Sequence, residues 1–167
     1  MIREGLRILK LFWGLFLYAL GIVFTIHANL GVSPWDVFHQ GVSRQLGITM
    51  GTASIVTAVV IVSFSTLMKE HVGFGTLCNM IFIGVFVDVL MLRVRVPVMQ
   101  GFMAGLVMLL AGLFVIAIAS VFYIGAGYGA GPRDSLMVVL AKRTGRPVGL
   151  CRVFIEGVAL LLGWLLG

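Results

Sequence analysis

Charge is scarce in this chain: Lys, Arg, Asp and Glu make up 11% of its 167 residues, 60% are hydrophobic, and the mean hydropathy is +1.14. So little polar surface excludes a water-soluble globule, because the apolar side chains outnumber whatever is left to cover them. Acidic residues are the scarcest, six against twelve Lys and Arg. The resulting net charge of +6 does not point to nucleic acid, because the basic residues sit at the ends of apolar runs, where membrane orientation alone places them. Cysteine is also rare. Cys78 and Cys151 lie inside apolar runs with no CxxC spacing, which excludes a disulfide framework and a thiolate metal site and leaves them as small core residues. The three histidines, His27, His39 and His71, fall on separate stretches with no carboxylate or cysteine at ligand spacing, so neither a metal nor a cofactor is expected. GxSxG, HExxH and a phosphate-cradling glycine loop are all missing, and the sequence is not expected to encode an enzyme.

What the chain has is long apolar runs. A crossing needs about 20 mostly apolar residues, and the sequence supplies runs at 8–30, 49–68 and 72–92, another that starts near Pro97 and stays uncharged until Arg133, and a last at 148–167. The first is entered from a basic end carrying Arg3, Arg7 and Lys10 and is longer than a signal-peptide core, so it reads as a retained span. The fourth contains a GxxxG at Gly101 and Gly105, which permits close helix approach. The expected fold is all-α: a polytopic membrane protein of about five transmembrane helices forming a single membrane domain over 1–167.

The stretch SPWDVFHQGVSRQ at 33–45 follows the first run, and a near-copy of its opening returns 98 positions later. Gly31, Pro34, Asp36, Gly47 and Gly51 have counterparts at Gly129, Pro132, Asp134, Gly145 and Gly149 without a gap, and 13 of 38 residues are identical between 14–51 and 112–149. That is a duplication, and it sets the architecture. In each copy a short helix is predicted, at 33–46 and at 132–144. Ser33, Pro34 and Asp36 fit Ncap, N1 and N3, and Gly47 fits the closing C′ position. At about 1.5 Å per residue the first covers about 21 Å, too short to cross, so each is expected to be re-entrant or interfacial. Trp35, Phe38, Val42 and Leu46 form its apolar face, with His39, Gln40, Ser43 and Arg44 opposite.

Placing the N-terminus in the cytoplasm puts nine of the twelve Lys and Arg inside, the expected bias in a bacterial cytoplasmic membrane. Three spans then separate the starts of the two copies, so repeat 1 (about 5–95) and repeat 2 (about 97–167, its last span absent) face opposite ways, as in secondary transporters built from inverted repeats.

GVSPWDVFHQGVS at 31–43, Gly51-Thr52, GFGTLCNMIFIG at 73–84, YGAGPRDSLM at 128–137 and the closing GWLLG together closely resemble the YczE/YitT-like family of bacterial membrane proteins. The resemblance covers essentially the whole chain. It implies an integral membrane protein of about six spans, with members continuing beyond GWLLG, where this sequence departs. It implies no defined biochemical activity.

The candidate binding residues are Asp36 and Asp134 with their neighbours Pro34, Pro132, Trp35 and Arg133. Bare helix N-termini favour anions; an aspartate on each offsets that field and suits a cation, proton or amine, although an Asp at N3 is also an ordinary cap. Asn79, Asp88 and Glu156 lie within runs, where ionisable groups commonly face a pathway or a partner. Glu156 is also positioned for an i,i+4 pair with Arg152. Arg133, Lys142, Arg143, Arg146 and Arg152 form a basic cluster suited to anionic lipid headgroups. The function expected is a small-solute transporter or permease with its site between the two Pro-x-Asp helix starts. The alternative is a non-transporting subunit that scaffolds or modulates a partner complex, as a homo-oligomer or through an apolar groove left by the absent last span.

Overall fold

The computed structural model describes residues 2–70, 72–94 and 96–167, with side chains described from residue 4 onward. The side chain of Arg3, at the basic start of the first run, and the residues His71 and Arg95 lie outside what is described. Among the described residues seven α-helices follow in order: α1 (Ile2–His27), α2 (Pro34–Leu46), α3 (Met50–Leu67), α4 (Phe74–Arg93), α5 (Phe102–Ala126), α6 (Pro132–Thr144) and α7 (Val148–Leu166). Five of them, α1, α3, α4, α5 and α7, are long and apolar enough to cross a membrane. The other two are the short helices predicted after the first and fourth runs.

The helices divide into two compact units. The first contains α1, the part of α4 from Ile81 onward, and α5. α1 and α5 run antiparallel and touch along their whole length at small residues. A Cβ added to Gly14 would meet the Ala119 carbonyl at 3.2 Å, one on Gly21 the Gly112 carbonyl at 2.9 Å, and one on Gly105 the Ala28 carbonyl at 2.5 Å. The Arg7 guanidinium donates to the Ala126 carbonyl at 3.1 Å. Small residues let two backbones approach closely, which in hydrocarbon is the main source of helix–helix attraction. These contacts are reciprocal. With the repeat offset of 98, Gly14 corresponds to Gly112 and Gly21 to Ala119, so Gly14 against Ala119 and Gly112 against Gly21 are one contact made twice. Arg7 with Ala126 and Gly105 with Ala28 form a second such pair. On its other side α1 packs against α4, with Ala19 and Val23 against Val87 and Leu90, and with edge-to-face rings at Phe12–Phe82 and Phe16–Phe86.

The second unit contains α2, α3, α6, α7 and the first turns of α4. α2 packs on α3 and α7, and α6 packs on the same two spans. This pattern is unchanged when the two copies are exchanged, because α3 and α7 are themselves equivalent. Gly41 of α2 and Gly163 of α7 bring those two helices to backbone contact. Their equivalents, Val139 and Ser65, are both buried. Trp35, Ile61, Met137, Ile155 and Ala159 make the core of this unit.

The amphipathic reading of α2 requires correction. Leu46 of the apolar face is 64% exposed, whereas His39 of the polar face and Asp36 are 2% and 4% exposed. In a chain surrounded by hydrocarbon the outside accepts apolar side chains without cost, so the protein interior is the place where polar ones find partners.

Candidate functional site

The local sequence builds each helix start as expected. The Ser33 hydroxyl accepts from the Asp36 amide at 3.3 Å and donates to the Asp36 carboxylate at 2.6 Å, with Pro34 fixing the first turn and Gly47 closing the helix in the left-handed conformation. α6 begins on Pro132 after Gly131, which offers no side-chain cap, and closes on Gly145 in the same left-handed way. The loop before α6 is clasped by the beginning of α4: the Thr76 hydroxyl donates to the Ala130 carbonyl at 2.6 Å. Gly129 there adopts φ +117° with the Gly73 backbone against it, a conformation that favours glycine. Gly31, its equivalent, has a similar φ of +137° and open space around it.

The two helix starts meet. Residue 35 in one copy corresponds to residue 133 in the other, and these equivalent side chains stack, the Arg133 guanidinium carbon lying 5.1 Å from the centre of the Trp35 ring. A guanidinium over an indole face is a favourable pair, from about 0.5–1 kcal/mol when exposed to about 2 kcal/mol when desolvated, and Arg133 is half-buried. Asp36 lies buried beside it. Burial pushes its carboxyl above the usual carboxylate range, opposed by the positive Arg133 and by the Ser33 hydroxyl. Burial and the same Arg133 charge push His39 down to about 3, so its ring is neutral. The Trp35 indole N–H is buried without a hydrogen-bond acceptor among the described residues, a position that ordinarily costs stability unless something else supplies the acceptor.

The remaining candidates separate clearly. Asp134 is exposed at the α6 start. Asn79 lies against the same turn, its amide 3.6 Å from a Cβ placed on Gly131. Glu156 pairs with Arg152 at 2.9 Å, the i,i+4 arrangement expected. Asp88 belongs to the first unit, with α1 and α5. Gly51 and Gly149 lie in the first turns of α3 and α7. Of the basic cluster, Lys142 is paired with Glu70 at 2.7 Å and Arg152 with Glu156. In both pairs the cation is exposed and the carboxylate half-buried, and Lys142→Met is expected to change stability by less than about 1 kcal/mol in a thermal unfolding series.

Beside the helix starts a groove of about 190 Å³ is lined by Trp35 and Phe38 of α2, Leu136 of α6 and Phe154, Val158 and Leu162 of α7. Its walls are apolar. Residues 154, 158 and 162 recur every fourth position, but inside a uniformly apolar span that spacing carries no visible signal.

Comparison with known proteins gives relatives and a family. The chain is 35% identical to the uncharacterized membrane protein YczE of Bacillus subtilis over 158 residues, covering 93% of this chain and 73% of that one. It is 28% identical to an uncharacterized protein of Haemophilus influenzae, over 94% of this chain and 71% of the relative, and 23% identical to the Bacillus subtilis protein YyaS, over 89% and 75%. No solved structure matches. With five helices suited to crossing and a membrane protein among its relatives, the protein is a multi-pass membrane protein. A family profile matches residues 5–167, and the chain belongs to that family, DUF6198, a family of unknown function.

Proposed function

We propose that the protein is a permease for a small solute, its two copies inserted in opposite senses and its binding site located where the α2 and α6 starts meet. One observation carries this reading: equivalent residues of the two copies, Trp35 and Arg133, are stacked on each other. Paired helix starts contributed by opposed repeats are the arrangement in which transporters hold substrate. The reciprocal antiparallel contacts of α1 and α5 support the opposed insertion. The site combines a half-buried guanidinium, a buried carboxyl and an exposed one, a constellation that can bind charge and needs no reaction chemistry.

The test is uptake by proteoliposomes over a panel of amino acids, amines and inorganic cations. At least one class is expected to exceed empty vesicles, with Arg133→Gln abolishing the excess when uptake is compared per amount of folded protein. An uptake that Arg133→Gln leaves intact would sink the assignment. Asp36→Asn behaves differently because its carboxylate is bonded inside the helix cap: a loss of about 0.5–2 kcal/mol in stability is expected, read as lower folded yield.

A second reading, a membrane subunit that docks a partner helix, is favoured by α5. Its Phe114 and Val121, equivalent to the α4-packed Phe16 and Val23 of α1, are 67% and 73% exposed. Detergent-extracted protein that runs as a monomer with no companion chain would dismiss it.

A further inference from the structure

The groove and the helix starts share a side chain, because Trp35 both lines the groove and carries the Arg133 guanidinium on its ring. Arg133 and Asp134 are successive residues of opposite charge in the first turn of α6, and among the described residues neither makes a hydrogen bond or an ion pair. The neighbouring acids are already engaged, Asp36 with the Ser33 hydroxyl and Glu156 with Arg152. Asp36 lies beside Arg133 without hydrogen-bonding to it; a lone anion would leave Asp134 without a hydrogen-bond partner and a lone cation would leave Arg133 without one, whereas a head carrying both signs serves both. The groove offers the other half of a ligand. Its walls hold nothing for a polar solute, and Phe154, Val158 and Leu162 fall on the middle turns of α7, a helix suited to spanning the membrane, with their side chains partly open to the outside. The medium that reaches the groove is therefore the hydrocarbon of the bilayer.

We propose that the ligand of this site is a zwitterionic phospholipid of the ethanolamine class, its phosphate held by Arg133, its primary ammonium, which unlike that of choline has N–H donors, by the Asp134 carboxylate, and one acyl chain lying in the groove against Trp35, Phe38 and Val158. This rests on the reading that the paired helix starts form the binding site, and it replaces the small hydrophilic solute of that reading with an amphiphile.

The experiment uses the full chain with Trp13→Phe and Trp164→Phe, two positions that are 51% and 73% exposed, so that Trp35 alone fluoresces. The protein is placed in nanodiscs of unbrominated phosphatidylcholine, and small mole fractions of lipid with brominated acyl chains are added. Brominated phosphatidylethanolamine is expected to quench Trp35 at several-fold lower mole fraction than brominated phosphatidylcholine or phosphatidylglycerol. Arg133→Gln and Asp134→Asn should each erase that preference, and Val158→Phe, which fills the groove, should weaken quenching by the ethanolamine lipid. Equal quenching by all three lipids would overturn the proposal, since ordinary boundary lipid gives that result. Glycerophosphoethanolamine, the same head without chains, separates the two levels of inference. If it raises the unfolding temperature in an Arg133-dependent way while brominated chains show no preference, the amphiphile is wrong and the helix-start site stands. If neither binds, the ethanolamine head is wrong as well as the amphiphile, and the helix-start site stands or falls on the uptake panel.

Discussion

Gly163→Ala lowers both the folded yield and the unfolding temperature, whereas Gly157→Ala, six residues earlier on the same helix, leaves them unchanged or slightly raised. A methyl group at 163 would lie 2.6 Å from the Phe38 amide nitrogen, 2.7 Å from the Val37 carbonyl carbon and 2.8 Å from the Phe38 Cα. All three are backbone atoms of α2, so nothing flexible can move aside. Forcing a group into such a contact costs about 1–3 kcal/mol, and Gly163→Leu is expected to give no monodisperse protein. At Gly157 a Cβ meets nothing within 4 Å, so alanine there gains the helix preference of about 0.5–1 kcal/mol over glycine. Size-exclusion profiles and thermal unfolding of the two alanine variants check the contrast. Equal behaviour would mean that α2 does not rest on α7 as described. Because α2 carries Trp35 and Asp36, a displaced α2 also removes the Arg133 stack and with it the proposed site.

Gly21→Leu and Gly112→Leu each prevent folding, while Gly5→Leu on α1 is tolerated. A Cβ at Gly21 already falls 2.5 Å from Ile116 Cγ1 and 2.9 Å from the Gly112 carbonyl, and one at Gly112 falls 3.0 Å from the Gly21 carbonyl; around Gly5 there is open space. A leucine at either position wedges α1 from α5, and two spans held mainly by close backbone packing have little hydrophobic force to restore them. The duplication sharpens this expectation. Gly14→Leu and Gly112→Leu alter equivalent positions in the two copies and should cost similar amounts of folded protein. Tolerance of one with loss of the other would show that the reciprocity of the α1–α5 contact has no energetic counterpart.

Much of this was legible in the residues, for identifiable reasons. The ends of α2 and α6 could be read because Pro at N1, Asp at N3 and Gly at the close act through covalent geometry and bonds within one turn. The Arg152–Glu156 pair was readable because i,i+4 spacing places both on one face of any helix. The inward face of α2 was not. Amphipathic reasoning assumes water outside, and beside hydrocarbon the burial of Asp36 and His39 and the exposure of Leu46 follow from which neighbours surround the helix. The alignment that equates residue 35 with residue 133 was available in the sequence, but not the fact that the two side chains touch. Asp88 and Asp134 could not be ranked by residue type. One is grouped with α1 and α5, and the other stands exposed beside Arg133.

The sequence by itself determined the number and kind of helices, the duplication and the points where the short helices begin and end, because each of these depends on local bonding or on the apolar length of a run. Tertiary structure alone decided that glycines at matching positions bring α1 and α5 into reciprocal contact, that Trp35 and Arg133 stack, and that an apolar groove opens beside them. Those outcomes depend on distances between residues far apart in the chain, and no local preference encodes them.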